Sequence, residues 1–411
     1  MHPRLPQELA SPLILKKLQL QLSMQEKMKE EMFGPTPPFL FVGSYGYPSV
    51  SWGPMVSFER MDDNPANWWG LPYEKIIENC SLLIRGKKEA GVFSKERKLL
   101  EAQEAVMSTS AIDMEISFTK KPSFQIAVST HLQPMGASAP LKNLRVADNP
   151  KIPKKVDEVV EEGMLAKEAI NELYSHGFDN YYLTKLLTAG ILGKPQNKKL
   201  VPTRWSITAT DDMLGKKMME EVKQLPELSE IRIYSTEYLH NHFEILLLPG
   251  AWEFEQFEAW APSTLWNMQK LQEMGLDISV PRKKVEPSVS QSAPNSFSVA
   301  HEYEPNWGRS IYAQSEAGGY YAGRYGTLWG LLNKVKRQAR AVVFREIGEE
   351  YTVPVGVWEV RENAVHCFDE KPEVFAEVGE ALKHLAGRLR VPIPEYLKKS
   401  QIIGQRKLSD F

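Results

Sequence analysis

Strand-like and helix-like stretches are interspersed along this chain without the regular strand–helix–strand alternation that a doubly wound parallel sheet requires. Phe39-Leu40-Phe41-Val42 is an apolar run that enters a glycine-rich turn, and a second strand leaves that turn through Trp52. Strand patterns recur near 122–131, at 204–210, at 231–235 and at 242–249. Helical spacing is read over 12–32, where apolar residues recur at three and four, and at 73–80. Short helices are expected over 156–192, a basic helix over 328–340, a hairpin over 351–366 and a helix over 372–389. The aromatic and acidic run from Trp252 to Trp266 reads as a helix or loop on the core. This mixture predicts an α+β fold of mixed, largely antiparallel sheets with packed helices, plus a disordered C-terminal tail.

Periodicity fails over 276–306, which holds Pro281, Pro287, Pro294 and five serines between 288 and 298. The expected organisation is an amphipathic helix at 1–33, a main α+β domain at 34–275, a linker at 276–306, a smaller α+β domain at 307–398 and a tail at 399–411. Hydrophobic residues make up 42 %, enough for packed cores, and the net charge of −2 excludes coating of nucleic acid by bulk charge while leaving room for a local basic face. No apolar run approaches the roughly 18 residues of a membrane span, and the start lacks a signal-peptide core, so an intracellular, cytoplasmic protein is expected. The two cysteines, Cys80 and Cys367, are too few for a disulfide framework or a Cys₄ zinc site and read as packing residues.

Several residues could carry chemistry. The turn Gly43-Ser44-Tyr45-Gly46 offers backbone N–H groups to a phosphate, although it lacks a P-loop ending; a tight turn needing positive φ is the other reading. Arg85 suits a phosphate or a strand-end ion pair. Asp211 and Asp212, after a strand carrying Arg204, would suit Mg²⁺ and phosphoryl transfer with partners among Asp62, Asp63, Asp113 or Glu244; they equally suit a helix N-cap. His240 and His242, spaced by two on a strand, could ligate metal or exchange protons, but lack a third ligand. Tyr321, Arg324 and Tyr325, leading to Lys334, Lys336, Arg337 and Arg340, mix rings with positive charge as single-strand binders do; a solvated basic helix face has the same composition. No cofactor is assigned with Mg²⁺ the one metal these carboxylates suit, and no metal site is named.

The last seven residues carry the plainest signal. Gln405, Leu408 and Phe411 recur every third residue, which puts them on one face of a 3₁₀ turn. The pattern resembles the short peptide by which replication and repair proteins hold the sliding clamp PCNA, and it stands where a tail is free to dock. The fuller motif has two adjacent aromatics where this chain has Phe411 alone, so micromolar binding is expected. A tail whose Phe411 folds back on the body is the alternative.

Together these stretches resemble the archaeal Nre family of DNA-repair proteins. The resemblance is carried by Phe41-Val42-Gly43-Ser44-Tyr45-Gly46-Tyr47-Pro48 with Trp52-Gly53-Pro54, by Leu83-Ile84-Arg85-Gly86, by Arg204 to Asp212, by Asn241 to Glu255, by Gly323-Arg324-Tyr325 and by the terminal peptide. It implies a role in DNA-damage tolerance with PCNA as partner, nucleoid association through the clamp and contact with DNA, but no agreed reaction. Some relatives look as if they carry a cysteine-rich, zinc-finger-like N-terminus; none stands here, and zinc is not expected. Three functions remain open: a clamp-tethered repair factor that binds nucleic acid or a nucleotide, an enzyme acting on a nucleotide or phosphate-containing substrate, and a non-enzymatic scaffold.

Overall fold

The computed structural model describes residues 24–124, 136–261, 297–351 and 353–404. The chain forms two compact units, divided between Met213 and Leu214. Both are mixed α+β, as expected.

The first unit is built on a six-stranded sheet of β1 (Glu31–Thr36), β2 (Leu40–Val42), β3 (Ser49–Val56), β4 (Ile84–Gly91), β5 (Ile112–Phe118) and β6 (Ser138–Val146), in the order β1-β5-β6-β4-β3-β2. Only β4 and β6 run parallel; the other neighbours are antiparallel. Alternation sets the faces: Ile112, Met114, Ile116 and Phe118 of β5 are buried, and the residues between them are not. The helices are α1 (Tyr73–Leu82), α2 (Arg97–Val106), α3 (Lys154–Glu162), α4 (Ala166–Ser175), α5 (Asn180–Thr188) and α6 (Thr203–Val222), the last belonging to this unit as far as Met213. Leu99, Ala102, Ala105 and Val106 form the buried stripe of α2. The Asp179 carboxylate caps α5 by accepting from the Tyr182 N–H at 2.7 Å.

Two expectations for this unit change. Residues 24–27 are helical, but Glu31–Thr36 is a strand, because its alternating residues pair along the whole of β5. The rest of the helix read over 12–32 lies outside the described residues, as do 125–131 of the strand read near 122–131; Ser123 bridges to Ser138. Arg204–Thr210 belongs to α6 rather than to a strand. Its β-branched and hydroxyl residues mimic strand composition, yet Ser206 Oγ and Thr208 Oγ1 donate back to the carbonyls of Pro202 and Arg204, four residues earlier, at 3.2 and 3.3 Å. Burial at Ser206, Thr210, Leu214, Met218 and Val222 follows the helical interval of four.

The second unit holds a six-stranded sheet of β7 (Ile231–Tyr238), β8 (Asn241–Leu248), β9 (Glu253–Trp260), β10 (Ser298–Glu304), β11 (Arg340–Ile347) and β12 (Glu373–Phe375), in the order β10-β9-β11-β8-β7-β12. Here β9 and β11 are the parallel pair. Leu239 and His240 turn the β7–β8 hairpin with φ of 50° and 59°, the signature of a type I′ turn. Helices α7 (Gly318–Gly330) and α8 (Trp358–His366) cover one face, and α9 (Val378–Ala386) and α10 (Ile393–Leu397) the other. On the second face Leu246, Phe257, Val342 and Phe344 pack against Ala381, Leu385 and Tyr396. The proline- and serine-rich stretch joins β9 to β10, neighbours in this sheet, and its residues 276–296 lie outside the described ones.

Four local expectations give way here. Glu253–Trp260 is a strand, not a helix or loop. The basic helix ends early: α7 stops at Gly330, a π-helical turn spans Leu331–Val335, and β11 begins at Arg340. The hairpin expected over 351–366 is replaced by α8. The helix of 372–389 is preceded by β12 and starts at Val378.

Backbone approach limits the first sheet. A Cβ on Gly53 of β3 would lie 2.0 Å from Gly86 O of β4, whereas one on Gly91 would meet nothing within 4 Å. Gly53→Ala should therefore lower the unfolding free energy in urea by about 1–3 kcal/mol, and Gly91→Ala should stay within about 0.5 kcal/mol of the parent. Equal stability of the two variants would contradict this packing.

Candidate functional site

In the first unit, three segments distant in the chain meet beside Ser49 and Gly91, the paired ends of β3 and β4. The Val92 N–H donates to Pro48 O at 3.0 Å, and the Leu200 N–H donates to Val92 O at 2.8 Å. The Val42 N–H donates to Thr203 Oγ1 at 2.9 Å, fixing the start of α6 against β2. These bonds bring together Tyr47, Phe93 and Trp205, exposed by 39, 60 and 46 %, and Tyr45, two residues before Tyr47, is 92 % exposed. Tyr47 and Trp205 pack at 5.1 Å between centroids. Lys199 Nζ lies 3.2 Å from Tyr47 Oη and 5.9 Å from the centroids of both Tyr47 and Phe93. An open depression of about 450 Å³, lined by Pro48, Ser49, Gly91, Val92, Phe93 and Ser94, adjoins the rings. Of the Gly43-Ser44-Tyr45-Gly46 segment, Tyr45 and Gly46 open a turn that runs to Pro48, while Gly43 and Ser44 precede it. The Gly43 N–H donates to Ser51 O at 2.7 Å, and Gly46 takes φ 81°.

The second unit buries charge between its sheet and α7. Arg345, 4 % exposed, donates from Nη1 to Glu258 Oε1 at 2.5 Å, from Nη2 to Glu359 Oε2 at 2.9 Å, and from Nε and Nη2 to Asn241 Oδ1 at 3.0 and 2.7 Å. Gln256 Nε2 donates to Glu316 Oε2 at 2.7 Å, and Tyr320 and Arg324 both donate to Glu304 Oε2, at 2.5 and 2.7 Å. Burial pushes the Glu359 carboxyl up to about 7, against the pull of Arg345. Burial, joined by the charges of Glu258 and Glu302, pushes Glu316 well above the carboxylate range. Burial likewise raises Glu258 despite Arg345. On the opposite face buried carboxylates clasp chain segments. Glu346 accepts from the N–H groups of Arg390 and Val391 at 2.7 and 2.8 Å. Glu255 accepts from Ser400 Oγ and the Gln401 N–H, both at 2.6 Å.

The residues singled out from sequence are placed as follows. Asp211 and Asp212 lie in the middle of α6, so neither caps it; buried Asp211 accepts from Asn180 Nδ2 at 2.8 Å. Arg204 is exposed in the first turn of α6. The Arg85 guanidinium sits 4.3 Å from the Phe41 ring centroid. Asp63 pairs with Lys185 at 2.5 Å, and Asp62 accepts from the Asn64 N–H at 2.9 Å. Those residues belong to the first unit and His242 to the second. His242 lies on β8 with Nε2 2.9 Å from Glu244 Oε1, while His240 is in the turn rather than on the strand. Tyr321, Arg324 and Tyr325 are buried, which withdraws them from solvent. Arg340 pairs with Glu253 at 3.1 Å, Lys334 pairs with Asp369 at 3.0 Å, and Lys334, Lys336 and Arg337 are exposed. Gln405, Leu408 and Phe411 lie outside the described residues. Cys367 is buried and Cys80 half-buried. Among the described residues no group of three or more His, Cys, Asp or Glu is arranged to hold a metal, and no helix is long and apolar enough to cross a membrane.

Glu359 fixes a pH dependence. Its carboxyl titrates near 4.5 when free and near 7 when folded, so the folded state keeps a proton that the unfolded state releases. Its contribution to stability is complete below about 4.5 and is lost as pH rises through about 7. Glu359→Gln carries no such proton. The fall in Tm between pH 5 and pH 8 should be smaller in this variant than in the parent, and an equal fall would contradict the assignment.

The first part of the chain, residues 8–267, matches the family model described as Archaeal Nre, N-terminal, and residues 304–411 match the model described as Archaeal Nre, C-terminal. The protein named DNA repair protein NreB of Archaeoglobus fulgidus is 33% identical over 398 residues, covering 95% of this chain and 94% of its own. DNA repair protein NreA of the same organism is 33% identical over 369 residues, covering 88% and 86%. DNA repair protein NreA of Haloferax volcanii is 31% identical over 398 residues, covering 93% and 89%. No solved structure matches. With both halves matched in order and relatives aligned along nearly the full length, the chain belongs to the archaeal Nre family.

Proposed function

We propose that this chain is a DNA-repair factor recruited to the PCNA sliding clamp through Gln405, Leu408 and Phe411, with a body that holds nucleic acid. Relatives that bear the name DNA repair protein support the first part. The observation that carries recruitment is the three-residue spacing of a glutamine, an aliphatic and an aromatic residue, inside the stretch matched by the C-terminal family model. Burying Leu408 and Phe411 in a groove would contribute about 1.5–3 kcal/mol each before ordering costs, which fits micromolar affinity for the isolated peptide. Arg406 and Lys407 fall off the apolar face and suit an acidic rim. Recruitment would place the protein at the nucleoid. Nucleic-acid binding draws support from the exposed rings and lysine of the first unit. Mg²⁺-assisted phosphoryl transfer at Asp211 is less favoured, because that carboxylate is buried in mid-helix against Asn180.

Titration calorimetry of a 399–411 peptide against the purified clamp should give a micromolar Kd, with Phe411→Ala weakening it more than tenfold. Unchanged binding by that variant would sink recruitment through the tail. DNA affinity of the full chain should fall steeply as salt is raised, since phosphate contacts release counterions. A chain with no measurable DNA affinity at low salt would end the nucleic-acid reading.

A further inference from the structure

We infer that the first-unit surface formed by Tyr45, Tyr47, Phe93, Trp205 and Lys199 binds the unpaired bases of single-stranded DNA. This rests on the nucleic-acid reading above and gives it a place and a substrate class.

Aromatic rings are normally core material, yet these four present much of their surface to solvent; Tyr47, Phe93 and Trp205 are joined through Lys199 and ring packing, and Tyr45 stands two residues before Tyr47. Tyr47, Phe93 and Trp205 are not loosely hung. The Val92–Pro48, Leu200–Val92 and Val42–Thr203 hydrogen bonds lock the three supporting segments, and Tyr47 rests against Trp205. A platform ordered in advance pays little entropy when a ligand stacks on it.

The charge of the same segments selects the ligand. Residues 43–49, 90–95 and 193–205 contain no aspartate or glutamate, and they carry Lys95, Lys194, Lys198, Lys199 and Arg204. Glu96, next after Lys95, is paired with Lys88. In a chain of net charge −2 these segments are cationic; of their cations Lys199 lies against two of the rings, whereas Lys198 Nζ donates to Val160 O at 3.2 Å. Lys199 stands over Tyr47 and Phe93 at once, so a phosphate beside a base stacked there would meet an ammonium group. Rings interleaved with cations are how single strands are held without sequence preference. The adjoining open depression is bordered by Phe93 and Pro48. Duplex DNA hides the faces of its bases inside the stack, so only unpaired bases can use these rings.

Fluorescence anisotropy with the full chain at low salt tests this, using a labelled oligo-dT, the same length of duplex, and oligo-U. The single DNA strand should bind more tightly than the duplex. Tyr45→Ala combined with Trp205→Ala should weaken single-strand binding by about tenfold or more, and Lys199→Glu should also reduce the salt slope by about one. Lys334→Glu with Lys336→Glu and Arg337→Glu, exposed residues of the second unit, should leave it unchanged. Tyr45→Ala alone removes a fully exposed ring, so loss of affinity with an unaltered melting curve excludes misfolding. If the parent binds single strands and the ring variants bind equally well, DNA is held elsewhere; the location falls while the proposed function stands. A duplex bound as tightly as the single strand overturns the claim of unpaired bases, and tighter binding of oligo-U overturns the choice of DNA. Absence of binding to every oligonucleotide removes the nucleic-acid reading itself.

Discussion

The guanidinium of Arg345 is buried where an unpaired charge would cost several kcal/mol, and much of the second unit is arranged around that constraint. Its partners come from β9, β8 and α8, so one side chain binds two neighbouring strands and the helix above them. The layer over it must be thin. A Cβ on Gly319 would lie 3.1 Å from Glu258 Oε2, and one on Gly323 would lie 2.0 Å from Gln256 Oε1. Farther along the same helix Gly326 and Gly330 give room to Ala364 and Phe368 of the neighbouring segment. Glycines weaken a helix intrinsically, and here the loss is offset by close packing on both sides. Burial raises Glu258, Glu316 and Glu359 above the ordinary carboxylate value despite the Arg345 cation, and neighbouring carboxylates add to the rise at Glu316 and Glu359.

That arrangement decides how much of the fold could be read from residues alone. Strands β7 and β8 were legible because apolar residues recur in both, but the turn at Leu239 and His240 that pairs them was not. Strand β9 was not: Glu253, Glu255 and Glu258 look like a solvated face, and their burial depends on partners far away in the chain, such as Ser400, His301 and Arg345. Helix α7 was hidden for a related reason, since five glycines in thirteen residues suggest a loop until the surfaces they touch are known. In α6 the hydroxyl and β-branched residues carried a strand-like composition that packing of every fourth residue, Ser206, Thr210, Leu214, Met218 and Val222, overrode.

The candidate surface was half legible. Tyr45 and Gly46 stood out for their turn and Arg204 for its neighbours, yet nothing periodic connects residues 45, 93, 199 and 205. The only shared trait available from sequence was the lack of acidic residues in all three segments. Conversely, Tyr321, Arg324 and Tyr325 had the right chemistry for a strand of nucleic acid and the wrong address, because Arg324 balances Glu304 inside the unit. Composition states what a segment could bind; burial decides whether it can be reached.

Glu255 has a consequence for mechanics. By holding Ser400 and Gln401, with Ile402 buried and its carbonyl accepting from Arg340, it clamps the chain to the sheet just short of the terminal peptide. Only Ile403 and Gly404 separate that anchor from Gln405. Three residues of fully extended chain span about 10 Å. A partner gripping Gln405 would therefore hold the second unit on a very short leash, with its surface almost against the partner's own. Such a tether restricts orientation as well as distance, and it transmits force directly to β9 rather than through slack chain.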